Sequence, residues 1–140
     1  MERVEDCISF LVGKAAQQVA KRSRERLAPF DVTPTQYAVL KVLWDEDGQS
    51  GAELGARLRM DSATITGVVD RLEAAGRLER RDDGSDRRIQ RLFLTAQGQS
   101  LREPLDQAMA QLNSEARSLL GADAAALWSA LRHLGDSKSW

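Results

Sequence analysis

The sequence predicts a mainly α-helical chain with one small β-hairpin, an α+β class. Three observations predict it. Apolar residues recur at three- and four-residue steps over most of the chain, two capping boxes open helices in the first half, and the period falls to two only between Leu78 and Leu94. At 140 residues, with 42% hydrophobic and 29% charged side chains, the chain fits a single domain, 1–140, that can bury a core of real size.

Val4, Cys7, Ile8, Leu11, Val12, Ala15, Ala16, Val19 and Ala20 form one helical stripe, which predicts a long amphipathic helix to about Leu27. Ala28-Pro29-Phe30-Asp31 ends it. Thr33 then caps a second helix, with Pro34 at its first position and Gln36 completing a capping box, and Val39, Leu40, Val42, Leu43 and Trp44 follow before Asp47-Gly48. Ser50-Gly51-Ala52-Glu53 is a second box and opens a short helix to about Leu58. After Arg59-Met60-Asp61, the positions Ile65, Val68, Val69 and Leu72 mark another amphipathic helix, capped by Asp61 or Ser62 and stopped near Gly76. Two short helices joined by a tight turn have the layout of a helix-turn-helix.

Residues 78–81 and 89–94 read as two strands, and the Asp-Gly pair inside 82–86 is a hairpin-turn signal. A hairpin directly behind such a helix is a wing. Thr95 caps the next helix, which runs through Leu101, Leu105, Leu112 and Leu119 to Gly121 and is expected to kink at Pro104. Asp123 caps a last helix bearing Leu127, Trp128, Leu131 and Leu134. The predicted architecture is thus a winged helix-turn-helix core, 33–95, between helical segments 1–30 and 96–140.

Several function classes are disfavoured. No apolar run approaches the eighteen or so residues that span a bilayer, and the acidic start Met-Glu-Arg-Val-Glu-Asp does not suit a signal peptide, so a cytoplasmic protein without a membrane partner is expected. One cysteine leaves no internal disulfide and no multi-cysteine zinc site. Cys7 and His133 have no third partner and there is no Gly-rich phosphate loop, so no catalytic residue, metal or cofactor is expected. His133, on the last helix, reads as surface or dimer packing.

The net charge of −1 says little about partners, but its distribution is uneven. From Arg57 to Arg91 there are nine arginines against seven acids, whereas from Asp31 to Ala56 there is one lysine against five acids. Arginine is the residue that reads phosphates and base edges with a planar fork of donors. Ser62, Ala63, Thr64, Thr66 and Gly67 put small and hydroxyl groups on the face opposite Ile65, Val68 and Leu72, a face suited to the major groove, with Arg71 one turn on. Ser62 would serve equally as a helix cap. At the wing tip, Asp86-Arg87-Arg88 suits a loop that sends one guanidinium into a minor groove while Asp86 holds the other. Which arginine does which stays open. The rival reading, a winged helix used for protein assembly, would favour an apolar or acidic exposed face instead.

The run from Asp61 to Gly76 (Asp-Ser-Ala-Thr-Ile-Thr-Gly-Val-Val-Asp-Arg-Leu-Glu-Ala-Ala-Gly), then Leu78-Glu79-Arg80, Asp86-Arg87-Arg88 and Leu94-Thr95-Ala96-Gln97-Gly98, resembles the MarR family, the multiple-antibiotic-resistance regulators. The resemblance covers about 33–98 in residues and nearly the whole chain in element order. It implies a triangular homodimer held by the N-terminal and the two C-terminal helices, a pseudo-palindromic double-stranded DNA operator, and a repressor released by a small aromatic, phenolic or lipophilic ligand. It also implies that the start of the recognition helix enters the major groove and the Asp-Arg-Arg wing the minor groove. The wide apolar stripes on the terminal helices support a twofold partner independently.

Two kinds of signal remain open within the resemblance. Oxidant-sensing relatives carry an N-terminal cysteine among tyrosines, so Cys7 is a candidate redox site, with core or dimer packing as the alternative. Phe10, Lys14, Tyr37, Lys41 and Trp44 are candidates to line a ligand pocket, since aromatic walls with a lysine suit an aromatic carboxylate. Tyr37 and Trp44 at helical spacing would serve equally as core.

Overall fold

In the computed structural model, which describes residues 2–140, the helix ends fall where short side chains satisfy backbone amides. The elements run α1 (Ile8–Leu27), α2 (Pro34–Asp45), β1 (Gln49–Ser50), α3 (Gly51–Leu58), α4 (Ser62–Ala74), β2 (Leu78–Asp82), β3 (Gln90–Leu94), α5 (Ala96–Ser100), α6 (Arg102–Leu120) and α7 (Ala124–Asp136). Thr33 Oγ1 accepts from the Gln36 amide while Gln36 Oε1 accepts from the Thr33 amide, both at 3.2 Å. Ser50 and Glu53 make the same reciprocal pair at the head of α3. Asp61, rather than Ser62, caps α4, accepting from the Thr64 amide at 2.7 Å. Each cap satisfies donors that the first helical turn leaves without partners.

The three-stranded antiparallel sheet has the order β1-β3-β2, with Gln49 opposite Leu92 and Leu78 opposite Leu94. Its buried face joins Val39, Leu40 and Leu43 of α2, Leu54 of α3, and Ile65, Val68, Val69 and Leu72 of α4. Leu27 of α1 and Leu105 of α6 enter the same core and are fully buried. Burying a leucine contributes roughly 2 kcal/mol, so these two side chains anchor the terminal helices to the winged helix-turn-helix lobe. Among the described residues no helix is long and apolar enough to cross a membrane.

Four local expectations are corrected, and one short strand is additional. The first helix begins at Ile8: Val4–Asp6 form a 3-10 turn and Cys7 is the N-cap, so Cys7 is not helix-interior. The wing does not close in a short Asp-Gly turn. β2 extends to Asp82, β3 starts at Gln90, and Gly84 is not among the glycines with positive φ, so a mirror-image two-residue turn is not formed. The helix after Thr95 is two helices with the break at Leu101; Pro104 falls in the first turn of α6, where a missing amide hydrogen matters least. Asp123 ends a 3-10 turn, Gly121–Asp123, and makes no side-chain cap bond. The short strand β1 had no period-two signal because only two residues pair.

The region between the terminal helices and the winged helix-turn-helix lobe is closed by Arg77. Its Nη1 donates to Asp31 O at 2.6 Å and its Nη2 to Phe30 O at 2.8 Å, while its own carbonyl accepts from the Thr95 amide. Gly98 of α5 lies directly over that carbonyl. A Cβ there would sit 2.0 Å from Arg77 O, a backbone atom that cannot swing away. Gly98→Ala is therefore expected to lower stability by about 3 kcal/mol. A urea midpoint equal to the parent's would show that the backbone yields easily.

Candidate nucleic-acid interface

Helix α4 is divided by its own periodicity. Ile65, Val68, Val69 and Leu72 are buried, and Ser62, Ala63, Thr64, Thr66, Asp70 and Arg71 are exposed on the other side. Gly67 is half-exposed, and the nearest atom to a Cβ built there is Arg71 Nη1 at 3.6 Å. Glycine is thus not demanded by the fold at this position, although it weakens the helix by about 1 kcal/mol relative to alanine.

The nine arginines separate into two groups. Arg57 pairs with Asp45 at 2.7 Å, Arg80 with Asp70 and Glu73, and Arg81 with Glu79 while lying 4.3 Å from the centre of the Phe93 ring. Arg91 donates to Gly48 O at 3.1 Å and lies 3.3 Å from Asp83. Arg77 serves the α1–α2 turn, and Arg59 reaches α7. These six are engaged by groups of the fold itself. Arg71 and Arg87 make no ion pair among the described residues, and Arg88 pairs with Asp86 alone.

That last pair shapes the wing tip. Asp86 Oδ1 accepts from the Arg88 amide at 3.0 Å and from its Nε at 3.2 Å, and Oδ2 accepts from Nη2 at 3.2 Å. The Arg88 side chain nevertheless remains 91% exposed. These bonds hold the Asp86 carboxyl below its usual range. The Thr64 amide does the same for Asp61. Between the wing and the helix-turn-helix runs a groove of about 440 Å³, walled by Ser50 of β1, Gly51 of α3, Ile65 and Thr66 of α4, and Arg88 and Gln90 of the wing.

The five pocket candidates are not all brought together. Tyr37 Oη donates to Asp106 Oδ1 at 2.9 Å and Lys41 Nζ donates to Asp106 Oδ2 at 2.8 Å. Burial first, then the Asp106 hydrogen bond and charge, push the Tyr37 hydroxyl well above its ordinary pKa. The Trp44 indole is buried, donates to Gly98 O at 3.0 Å and meets Tyr37 edge-on at 6.0 Å between centroids. Lys41 therefore already has an anionic partner supplied by α6. Phe10 and Lys14 lie on the exposed face of α1. A surface groove of about 740 Å³ beside the α5–α6 break is lined by Gln99, Ser100, Arg102, Glu103, Asp106, Gln107 and Ala110, none of the five. Asp106 was missed because an acid 65 residues from Lys41 leaves no mark in local spacing.

Comparison with known proteins follows this geometry. The MarR family matches over residues 32–90. The transcriptional regulator TtmR of Methylorubrum extorquens is 41% identical over 99 residues, which are 71% of this chain and 51% of TtmR. This chain thus spans about half the length of that relative. The transcriptional regulator SarZ of Staphylococcus saprophyticus is 32% identical over 77% of this chain and 74% of SarZ. Among solved structures, BpsR of Bordetella bronchiseptica shares the fold with a TM-score of 0.91 over 99% of each chain at 24% identity. PcaV of Streptomyces coelicolor, solved with its natural ligand, is 27% identical with a TM-score of 0.85 over 98% of this chain and 97% of PcaV. The repressor CouR, solved on a 23-mer DNA duplex, is 28% identical with a TM-score of 0.84 over 96% of each chain.

The two carboxylate caps can be followed by acid titration. A group whose folded pKa is depressed contributes stability above its unfolded pKa, and that contribution is lost as the pH falls through the folded value. The Thr64 and Arg88 amide resonances are expected to shift with midpoints below the ordinary aspartate value of about 3.9. Midpoints at or above that value would mean that Asp61 and Asp86 do not hold these amides in solution.

Proposed function

The chain belongs to the MarR family, and from that premise we propose that it is a cytoplasmic transcription regulator that binds duplex DNA as a homodimer and represses from a pseudo-palindromic operator. The observation that carries the reading is the placement of Thr66, from the open face of α4, and Arg88, braced by Asp86 at the wing tip, along one groove. A helix of α4's size fits the roughly 12 Å major groove, where Ser62, Thr64 and Thr66 offer hydroxyls and methyl groups to base edges and Gly67 lets the backbone come close. Arg71 and Arg87, which have no protein partner among the described residues, are suited to phosphates.

Arg88 fits the minor groove better than Arg87. A guanidinium held by two bonds to Asp86, with the Arg88 backbone amide on the same carboxylate, has already lost part of its rotamer freedom, yet its 91% exposure leaves it projecting from the tip. Narrow minor grooves concentrate negative potential, which favours an arginine presented in this way.

The dimer is supported by apolar surface left open on the terminal helices. Ile8 and Val19 of α1 are 59% and 54% exposed, and Leu131 of α7 is 49% exposed. A stripe of this length invites an isologous partner, and a twofold protein matches half-sites about one helical turn apart. Release by a small-molecule effector is supported by the likeness to PcaV, which is solved with its natural ligand, and the region of Tyr37, Lys41 and Trp44, where α2 meets α6, suits an aromatic or phenolic one.

Footprinting on the DNA flanking the gene, followed by quantitative binding of variants, tests the reading. Arg88→Ala is expected to weaken operator binding by about 1–3 kcal/mol per site without unfolding the protein. Asp86→Ala is expected to weaken it as well, because the guanidinium loses its brace; tighter binding would mean that Asp86 repels DNA and only parks Arg88. Affinity should also fall on the order of 10³-fold between 50 and 200 mM salt if six or more phosphates are contacted. A flat salt profile would sink DNA binding as the main activity.

A further inference from the structure

The turn between α3 and α4 contains an interaction that neither helix needs. Arg59 caps α3 at φ 54°, ψ 47°, the left-handed conformation that glycine adopts freely and that strains a residue with a Cβ. The cap itself is made by the Arg59 amide donating to Gly55 O, which requires the backbone and not the side chain. The side chain instead crosses to the far end of the sequence. Its Nη1 donates to Gly135 O at 2.7 Å, and its Nη2 lies 3.7 Å from Asp136 Oδ1. Gly135 and Asp136 are the last two residues of α7, where unpaired carbonyls and the negative end of the helix dipole attract a cation.

We propose that Arg59 is a positioning residue for operator recognition, fixing the separation of the two recognition helices and hence the half-site spacing that the dimer accepts. The inference rests on the homodimeric reading above. Helix α7 carries Leu127 and Leu131 on its open apolar face, so a partner subunit would hold α7 in place. A bond from the end of α7 to the turn that begins the recognition helix passes that placement on to α4. The guanidinium is committed to α7 and is not aimed at a phosphate. Each bond is exposed, with the Arg59 side chain 54% and Asp136 74% accessible, so it acts as a light stay on a lever rather than as a source of stability.

The test uses the full chain and the footprinted operator, alongside versions with one base pair added to or removed from the space between half-sites. Arg59→Gly suits the left-handed backbone and should fold at least as well as the parent. It is expected to lose on the order of tenfold in affinity at the natural spacing, two exposed bonds counted together, and to show a smaller penalty for altered spacing. Its log affinity against log salt should keep the parent's slope, because no phosphate contact is removed. Asp136→Arg, which repels Arg59 from the α7 side, should relax the spacing preference in the same way. Full retention of the spacing penalty by both variants overturns the proposal, and so does a salt slope in Arg59→Gly reduced by about one per subunit. A parent chain indifferent to spacing would overturn the dimeric reading itself, and this inference with it.

Discussion

Burying a guanidinium is costly unless it is held, and Arg77 is held through two of its nitrogens, Nη1 and Nη2, which donate to the carbonyls of Asp31 and Phe30, while its buried Nε has no partner among the described residues. The remaining architecture is arranged around this grip. It fixes where the chain leaves α1 for α2, it sits at the entrance to β2, and its own carbonyl is the floor on which Gly98 of α5 rests. Trp44 then donates to Gly98 O, tying the end of α2 to the same point. Four elements from distant parts of the sequence converge within one small volume, and the terminal helices and the reading lobe take their relative positions from it.

The surface assigned to DNA arises by subtraction. An arginine-rich segment would be a diffuse positive field if all its members faced solvent, but six of the nine are bound to carboxylates or backbone carbonyls of the fold. What remains is discrete: Arg71 on the open face of α4, and Arg87 and Arg88 on the wing. A few discrete donors give register on a duplex, whereas a uniform field gives affinity without register. The modest net charge of −1 is consistent with such an arrangement.

What was legible in the sequence was whatever depends on residues three or four apart. The Thr33–Gln36 and Ser50–Glu53 boxes and the division of α4 into buried and open faces follow from spacing alone. Features set across the fold were not legible. Arg77 and Arg88 look alike in a string of letters, yet one is buried against the α1–α2 turn and the other stands almost wholly in solvent. Lys41 looked available for an anion until α6 brought Asp106 to it, and the break at Leu101 moved Pro104 from a helix interior to a first turn. The Asp-Gly signal in the wing failed for a different reason. Asp83 and Asp86 bind amides of their own loop, and this competes with the tighter turn.

The wing loop between Asp82 and Gln90 is braced chiefly from within, by the Asp83–Ser85 and Asp86–Arg88 bonds and by the Ile89 amide on Asp86 O. Its conformation therefore owes little to the core beneath it. Residues can be inserted or exchanged there without disturbing how α2, α4 and the sheet pack. On the proposed reading, the contacts this loop makes with a groove are thereby separable from the packing of α2, α4 and the sheet.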